Sequence, residues 1–514
     1  MDQRYKEVVE QGEALFSKRT ALMSYWQEVA DNFYPERADF TFIRHTGAEF
    51  AAHLMTSYPI MVRRDLGNAF GSMLRRDEWF KLKVAREEYE DHDAKKWLEA
   101  ATRLQRRAMY DRRSQFTRAT AEADQDYAAF GQAVISVEAN LKNPSLLYRC
   151  WHLKDVAWSE GYDGQIDGVY RKWTPTLRHL VQLFGEEALH PKHKAVYARK
   201  PMTDVRCMHA VVPGERYGDR YPWVSVYLDC ENQHVMRFEP MNHQMYVIPR
   251  WQTVSGSQYA YSPATVAALP DSRLIQSMTE VLLSAGEKAV DPPMIAVQEA
   301  IRSDVNIRRG GITWVDSEYD ERLGEVLRPM SQDKSSLPFG FEMQDRIRAD
   351  IASAFYLNKL TLPIMAGDMT ATEVSQRVEE YIRQSIPLFE PMEMEYNGQI
   401  CDRTFEILMQ NGAFTDVPRS LQGQEVVFGF ESPIRSADDR KKGNRFREAI
   451  ELTTIGANID PTLSANIDFH TALRDSLTGI GVSAEWMRNE DQVKASIQQA
   501  AQMAQQAGAQ GAAA

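Results

Sequence analysis

The sequence predicts an α+β fold, and two changes of hydrophobic period and a strand-like insert predict it. Helical spacing governs the chain up to residue 130, alternation with tight turns takes over at Gly131, and helical spacing returns at Asp271 around a strand-like insert. The first helix is predicted from Gln3 to Phe33. Val8, Leu15, Leu22, Trp26, Val29 and Phe33 recur three, four or seven residues apart and share one face, and Pro35 ends the run. Two further helices are predicted at Ala94–Tyr110 and Ser114–Ala129.

Beyond Gly131, the segments Val134-Ile135 with Val137, Leu146-Leu147-Tyr148 and the turn-rich Gly161–Gly168 read as strands joined by tight turns. A short helix, Leu177–Phe184, interrupts them, and more strands are predicted at Asp204–Val212, Trp223–Asp229 and Met245–Ile248.

From Asp271, the residues Leu274, Ile275, Met278, Val281, Leu282 and Ala285 form a helical stripe that stops at Asp291-Pro292-Pro293. At 1.5 Å per residue that helix is ~30 Å long. The insert holds Arg308, Arg309 and Trp314 within Ile307–Val315, and a second helix runs from about Phe341 to Phe355. Met343, Ile347, Ile351 and Phe355 lie four residues apart on it, so the two helices and the insert make a stalk with a tip.

Leu357–Met369 is an apolar loop, because Pro363 and Gly367 break the period between Leu360, Leu362, Ile364, Met365 and Met369. Exposed apolar loops usually have something to touch. Thr370-Ala371-Thr372-Glu373 has the capping-box pattern and opens a helix predicted to reach Asn411-Gly412, with kinks or breaks at Pro387 and Pro391. After Pro433 a small helical unit is expected, with helices at 438–456 and 483–504 before a Gln/Ala/Gly tail.

The 514 residues are 43% hydrophobic and 26% charged, and mean hydropathy is −0.47, which excludes wholesale disorder. Net charge is −12, the wrong sign for a protein that grips DNA through many phosphates. No apolar run approaches the ~20 residues of a membrane span. The N-terminus Met1–Lys6 lacks a signal-peptide pattern, and the four cysteines, Cys150, Cys207, Cys230 and Cys401, are widely spaced. Synthesis in a reducing cytoplasm, without disulfides, is expected.

Enzymatic signatures are missing: no phosphate-binding Gly-x-x-x-x-Gly-Lys-Ser/Thr, no Gly-x-Ser-x-Gly, no His-Glu-x-x-His. Pro191 spoils His190 and His193 as a helical metal pair, and no carboxylates are organised around Cys150 and His152. Asp124 and Asp126, two apart on a helix, read as a solvated surface rather than a two-metal centre. The basic run Arg435, Arg440-Lys441-Lys442, Arg445 and Arg447 is interleaved with acids and reads as a mixed solvated face. No catalytic residue, metal or cofactor is expected.

Four ordered segments carry a family resemblance. They are Gly71–Leu74 with Glu78-Trp79-Phe80-Lys81-Leu82; Asp167–Thr174 with Leu180 and Phe184-Gly185; Val247–Trp251 leading to Tyr261-Ser262-Pro263 and Ala268–Asp271; and Met369–Val374 with Arg377. Together they resemble portal (head-to-tail connector) proteins of short-tailed, podovirus-type bacteriophages, in order and spacing over residues 70 to 412. One departure is Tyr259-Ala260-Tyr261, where that family often has glycine after the first tyrosine.

The resemblance implies a homo-oligomeric ring, usually of twelve subunits, around a channel for double-stranded DNA. It implies a wing over 1–270 and 370–435, a stem made of 271–290 and 339–356, and a clip over 291–338. The loop 357–369 would be the tunnel loop and 436–514 the crown. Leu274, Met278, Val281, Leu282, Met343, Ile347, Ile351 and Phe355 would then pack the stem, and Arg308, Arg309 and Trp314 would form the clip interface. Lys359, Leu360, Leu362, Ile364, Met365 and Met369 would line the channel. The implied partners are the terminase packaging motor, tail adaptor or connector proteins, and capsid, scaffold and internal core proteins, with no membrane. The implied location is the portal vertex of the virion, after synthesis in the host bacterial cytoplasm. The competing readings are a packaging nuclease-ATPase, which the missing phosphate loop disfavours, and a generic virion scaffold or adaptor.

Overall fold

Strands whose two faces both meet helices lose the in–out alternation of a half-exposed sheet. In Cys207–Pro213 (β6) the first six residues are all buried, because β6 is the middle of a five-stranded antiparallel meander. Its other strands are β4 (Val156–Glu160), β5 (Ile166–Trp173), β7 (Trp223–Asp229) and β8 (His234–Met241). The computed structural model describes residues 3–290 except 44, 46, 76–77, 87, 89, 141–144 and 218–219. It also describes 292–296, 327–329, 337–357, 391–430 and parts of 443–499.

Two compact units make up the chain. The first comprises Met1–Met23, Leu66–Ser262 and Lys359–Ala514, and the second Ser24–Asp65 and Pro263–Asn358.

In the first unit, helix α1 (Gln3–Lys18) lies on the meander, packing Val8 among Tyr170, Met208, Ala210, Val212, Val224, Val226 and Leu228. Gly12 permits that approach, since a Cβ there would meet the Met208 sulfur at 2.9 Å. Helices α6 (Leu177–Phe184) and α7 (Pro191–Tyr197), in the β5–β6 connection, build a separate cluster of Leu177, Leu180, Leu189, Val205, Cys207 and Met236.

A three-stranded sheet of β3 (Leu146–Cys150), β2 (Ile135–Ala139) and β9 (Tyr246–Val247) meets helix α5 (Phe116–Phe130). Gly131 caps α5 at φ +72°, pressed against the Tyr261 backbone, where a Cβ would lie 2.1 Å from a carbonyl carbon. Strand β1 (Phe80–Val84) pairs antiparallel with β14 (Val426–Phe430), from Phe80 opposite Phe430 to Val84 opposite Val426. Helix α4 (His92–Met109) covers that pair and is capped by Asp91, whose carboxylate accepts from Ala94 N at 2.7 Å. A two-residue ladder, β10 (Gln252–Thr253) with β11 (Ala260–Tyr261), completes the strands of this unit.

The second unit holds helix α8 (Pro263–Val290) antiparallel to α9 (Leu337–Ala354), with a short strand pair at their far ends, β12 (Met294–Ala296) against β13 (Leu327–Pro329). Helix α2 (Thr20–Phe33) and helix α3 (Tyr58–Leu74) each cross from one unit into the other.

Several expectations change in detail. The predicted helix Gln3–Phe33 is interrupted at Arg19, whose side chain is drawn inside to donate to Leu153 O at 2.8 Å and Val156 O at 2.5 Å. The helix expected from Asp271 starts at Pro263 and carries Pro270 inside it. The carbonyl that Pro270 leaves without a helical donor belongs to Val266, a half-exposed residue. The predicted break at Pro391 is a π-helical turn, Met392–Gly398, leading into α10 (Gln399–Gln410). In the C-terminal region residues 445–455 are helical. A further helix, α11 (Phe469–Gly479), lies where none was expected; of the predicted helix 483–504, residues 484–486 form a 3-10 turn and 492–493, 495–496 and 499 are helical.

Candidate functional site

The stalk-forming helices are the first candidate. Gly340 sits under Leu282, where a Cβ would meet the leucine at 2.6 Å, and Gln344 Nε2 donates to Thr279 Oγ1 at 2.8 Å. These contacts set the antiparallel register of α8 and α9. Of the residues predicted to pack the stem, Ile347, Ile351 and Phe355 are buried, and Phe355 lies 5.3 Å from the Phe33 ring. Met278 and Leu282 are half-buried, whereas Leu274, Val281 and Met343 are exposed. Leu274 and Val281 are seven residues apart and share a face turned away from the α9 seam at Ile275, Thr279 and Leu282.

This outward stripe, with Val281 66% exposed, is an apolar surface that the subunit itself leaves open. Phe339 and Phe341, on either side of Gly340 in α9, are also exposed. Sequence reasoning passed over these two phenylalanines because they precede the four-residue period that marked the helix.

Arg308, Arg309 and Trp314 lie outside the described residues, as do Lys359, Leu360, Leu362, Ile364, Met365 and Met369. Within the insert the structure describes the β12–β13 pair, with Met294 opposite Pro329 and Ala296 opposite Leu327.

In the first unit the expected solvated pair, Asp124 and Asp126, is instead buried at 2% and 1% exposure. The two-apart spacing implied opposite directions, but from Ala123 to Phe130 helix α5 is enclosed on nearly every side, so both directions are interior. Asp124 Oδ2 accepts from Arg75 Nη2, while Arg75 Nη1 donates to Asn397 Oδ1 at 3.1 Å and the guanidinium lies 4.9 Å from the Tyr396 ring. Burial holds the Asp124 carboxyl above the usual carboxylate range, with the Arg75 guanidinium beside it opposing that shift. Asp126 Oδ2 takes a contact from Cys150 Sγ at 3.6 Å.

Widening the turn at Met392–Gly398 puts three successive residues to use. Glu395 accepts from Arg250 N at 3.0 Å, Tyr396 lies under Arg75, and Asn397 accepts from it. Arg250 also pairs with Glu160 and donates to Gly164 O at 3.0 Å.

A second buried network crosses the meander. Arg171 Nε donates to Tyr246 Oη at 3.0 Å, and that hydroxyl is hydrogen-bonded to His209 Nδ1 at 2.7 Å. His209 Nε2 is hydrogen-bonded to Ser225 Oγ at 2.9 Å, and the ring is stacked 3.9 Å from Tyr227. Burial, reinforced by Arg171, holds His209 well below the usual histidine range. The serine–histidine contact is completely enclosed, with Ser225 1% and His209 0% exposed, so its role is structural.

His190 caps α7, and His193 Nδ1 lies 3.0 Å from Asp229 Oδ2. Among the described residues no group of three metal-ligating side chains converges, and no helix is long and apolar enough to cross a membrane.

Parts of the first three segments carrying the resemblance lie in these same places, and Met369–Val374 with Arg377 lies outside the described residues. Trp79 and Phe80 are buried against Phe430 and Phe428, Arg171 and Arg250 anchor the networks above, and Trp251 stacks 5.2 Å from Tyr127. They are the residues that hold the first unit together.

A protein from Bordetella phage BPP-1 named "Probable portal protein" is 25% identical over 514 residues, covering 95% of this chain and 91% of its own. The "Portal protein" of Salmonella phage epsilon15 is 22% identical over 358 residues, covering 67% of this chain and 63% of its own. Among solved structures, "Neck of empty GTA particle computed with C6 symmetry" aligns with 77% of this chain and 86% of that one, at 11% identity and a TM-score of 0.34. The family model described as "Bacteriophage head to tail connecting protein" matches residues 5–487, nearly the whole length, and the chain belongs to that family.

Proposed function

We propose that this chain is the repeating subunit of a portal, a ring-shaped conduit at the junction of phage head and tail through which double-stranded DNA enters the capsid and later leaves. The observation that carries the reading is family membership over residues 5–487, together with relatives named as portal proteins. The outward stripe Leu274–Val281 supports it, since a ring subunit must keep a surface for its neighbour.

Twelve copies would close the ring, with the described helices α8 and α9 as stem, 291–338 as clip, 357–369 as tunnel loop and 436–514 as crown. The clip, with Arg308, Arg309 and Trp314, would meet the packaging motor and later a tail adaptor. Capsid, scaffold and internal core proteins would surround the remainder, at the portal vertex of a virion assembled in the host cytoplasm.

The charge suits a conduit. A polyanion slides best past walls that do not hold it, and a subunit of net charge −12 repels the duplex toward the axis. Lys359 would touch phosphates without gripping them, and Leu360, Leu362, Ile364, Met365 and Met369 would form an apolar constriction. The subunit would do no chemistry of its own: nucleotide hydrolysis would belong to the motor.

Native mass spectrometry and imaging of the purified protein test the reading, with closed rings, most often of twelve, as the expected result. A stable monomer at micromolar concentration would refute it. For the loop, deleting Pro363–Gly367 should leave rings intact but let packaged DNA slip out. Full genome retention by that variant would remove the loop's assigned role.

A further inference from the structure

We infer that Phe42, Ile43 and Phe50 belong to an assembly arm and seat on the outward stripe of α8 in the next copy of this chain. The inference rests on the ring reading above and names the surfaces that would meet.

Two glutamines pin the arm at its ends. Gln27 Oε1 accepts from Phe40 N at 2.8 Å and Thr41 N at 3.1 Å. Gln276 Oε1 accepts from Met55 N at 2.7 Å and Thr56 N at 2.9 Å, and its Nε2 donates to Thr56 O at 3.0 Å. Just beyond, Tyr58 Oη donates to Arg348 O at 3.0 Å. A side-chain amide that reads two consecutive backbone groups fixes a chain direction without any regular element. Between the pins, Phe42 is 47%, Ile43 87% and Phe50 52% exposed. The arm is thus held at both ends and presents large apolar side chains outward.

The position of the second pin decides where they can go. At roughly 100° per residue, Gln276 lies about 160° around α8 from Leu274 and about 140° from Val281. Helix α2 approaches on the arm's side too: Asn32 Oδ1 accepts from Ser272 Oγ at 3.1 Å and Glu28 Oε1 from Arg273 Nε at 2.8 Å. One side of α8 therefore carries an apolar arm and the opposite side an apolar stripe.

A two-fold dimer needs one surface that matches itself. A closed ring needs two different surfaces that match each other, and this is what the second unit displays. Charge agrees, since Arg44 and Glu49 are the arm's formal charges and Leu274, Met278, Val281 and Ala285 carry none. A tail or capsid protein on the arm is the outcome that would count against a second copy.

The test uses the full-length assembled protein with benzoylphenylalanine in place of Phe50. Irradiation should give a crosslink between chains, to the tryptic peptide running from Leu274 to Lys288. The substitutions Ile43→Asp and Phe50→Asp should each weaken subunit association by about tenfold or more while leaving the subunit's circular dichroism unchanged. Rings that form normally with both substitutions, or crosslinks confined to the probe's own chain, to another segment or to another virion protein, would overturn the arm. A parent chain that never forms rings would overturn the ring reading first, and is distinguishable because no variant is needed to see it.

Discussion

Arg75 and Asp124 face one another with neither side chain more than 4% open to water, at the junction of α3, α5 and the π-helical turn. Breaking such a pair from one side strands a charge in the interior, at a cost of about 3–5 kcal/mol. Asp124→Ala and Arg75→Ala should each destabilise the subunit by that amount in urea titrations. The double substitution Arg75→Met with Asp124→Leu should recover most of the loss. If both single variants unfold like the parent, the pair is not a structural anchor.

Gly131→Ala and Gly164→Ala should differ sharply although both glycines have positive φ. At Gly164 nothing lies within 4 Å of an added Cβ, so the cost is the left-handed backbone alone, about 1–2 kcal/mol. At Gly131 the Cβ would collide with the Tyr261 backbone, and the cost should be severalfold greater. Equal thermal midpoints for the two variants would contradict the close approach.

His209 makes folding sensitive to acid. Its folded pKa lies below the ordinary value of about 6.5, so below that pH the unfolded chain binds a proton that the folded one does not. Stability is complete above pH about 6.5 and falls as the pH drops, by up to about 1.4 kcal/mol per unit from this residue. His209→Gln should be less stable at neutral pH but show a shallower acid slope. An unchanged slope would assign the acid response elsewhere.

Val281→Asp and Ile351→Asp separate assembly from folding. Val281 is 66% exposed and Ile351 fully buried. The first variant should give a folded subunit that fails to form rings by native mass spectrometry, and the second a subunit that does not fold. Rings of normal size from Val281→Asp would exclude the stripe from the interface.

Local elements were legible from residues alone. Leu177–Phe184 and Trp223–Asp229 fall where spacing and turn chemistry put them, because a capping Thr176 and alternating valines act over a few residues. The burial of Ile347, Ile351 and Phe355 was legible for the same reason. The burial of Asp124 was not, since a carboxylate two places from another reads as surface until Arg75 is brought to it. Nor was the arm: Phe42, Ile43 and Phe50 have no period, and the glutamines that pin them lie 13 residues away in one direction and 221 in the other. Strands β1 and β14 also escaped, because each is five residues long and its partner lies some 346 positions distant.

That last pairing imposes a waiting time on synthesis. Trp79 and Phe80 leave the ribosome early, but the strand that covers them, Val426–Phe430, is among the last structured parts to be made. At about 5–20 residues per second, translation of the intervening chain takes on the order of 20–70 s. Throughout that interval Phe80 has no sheet partner and Trp79 lacks Phe430 beside it, so this part of the first unit closes only after Phe430 has left the ribosome. Trp79 fluorescence in ribosome-bound chains arrested before Val426 should therefore report a solvated indole, turning blue only once Phe430 has emerged.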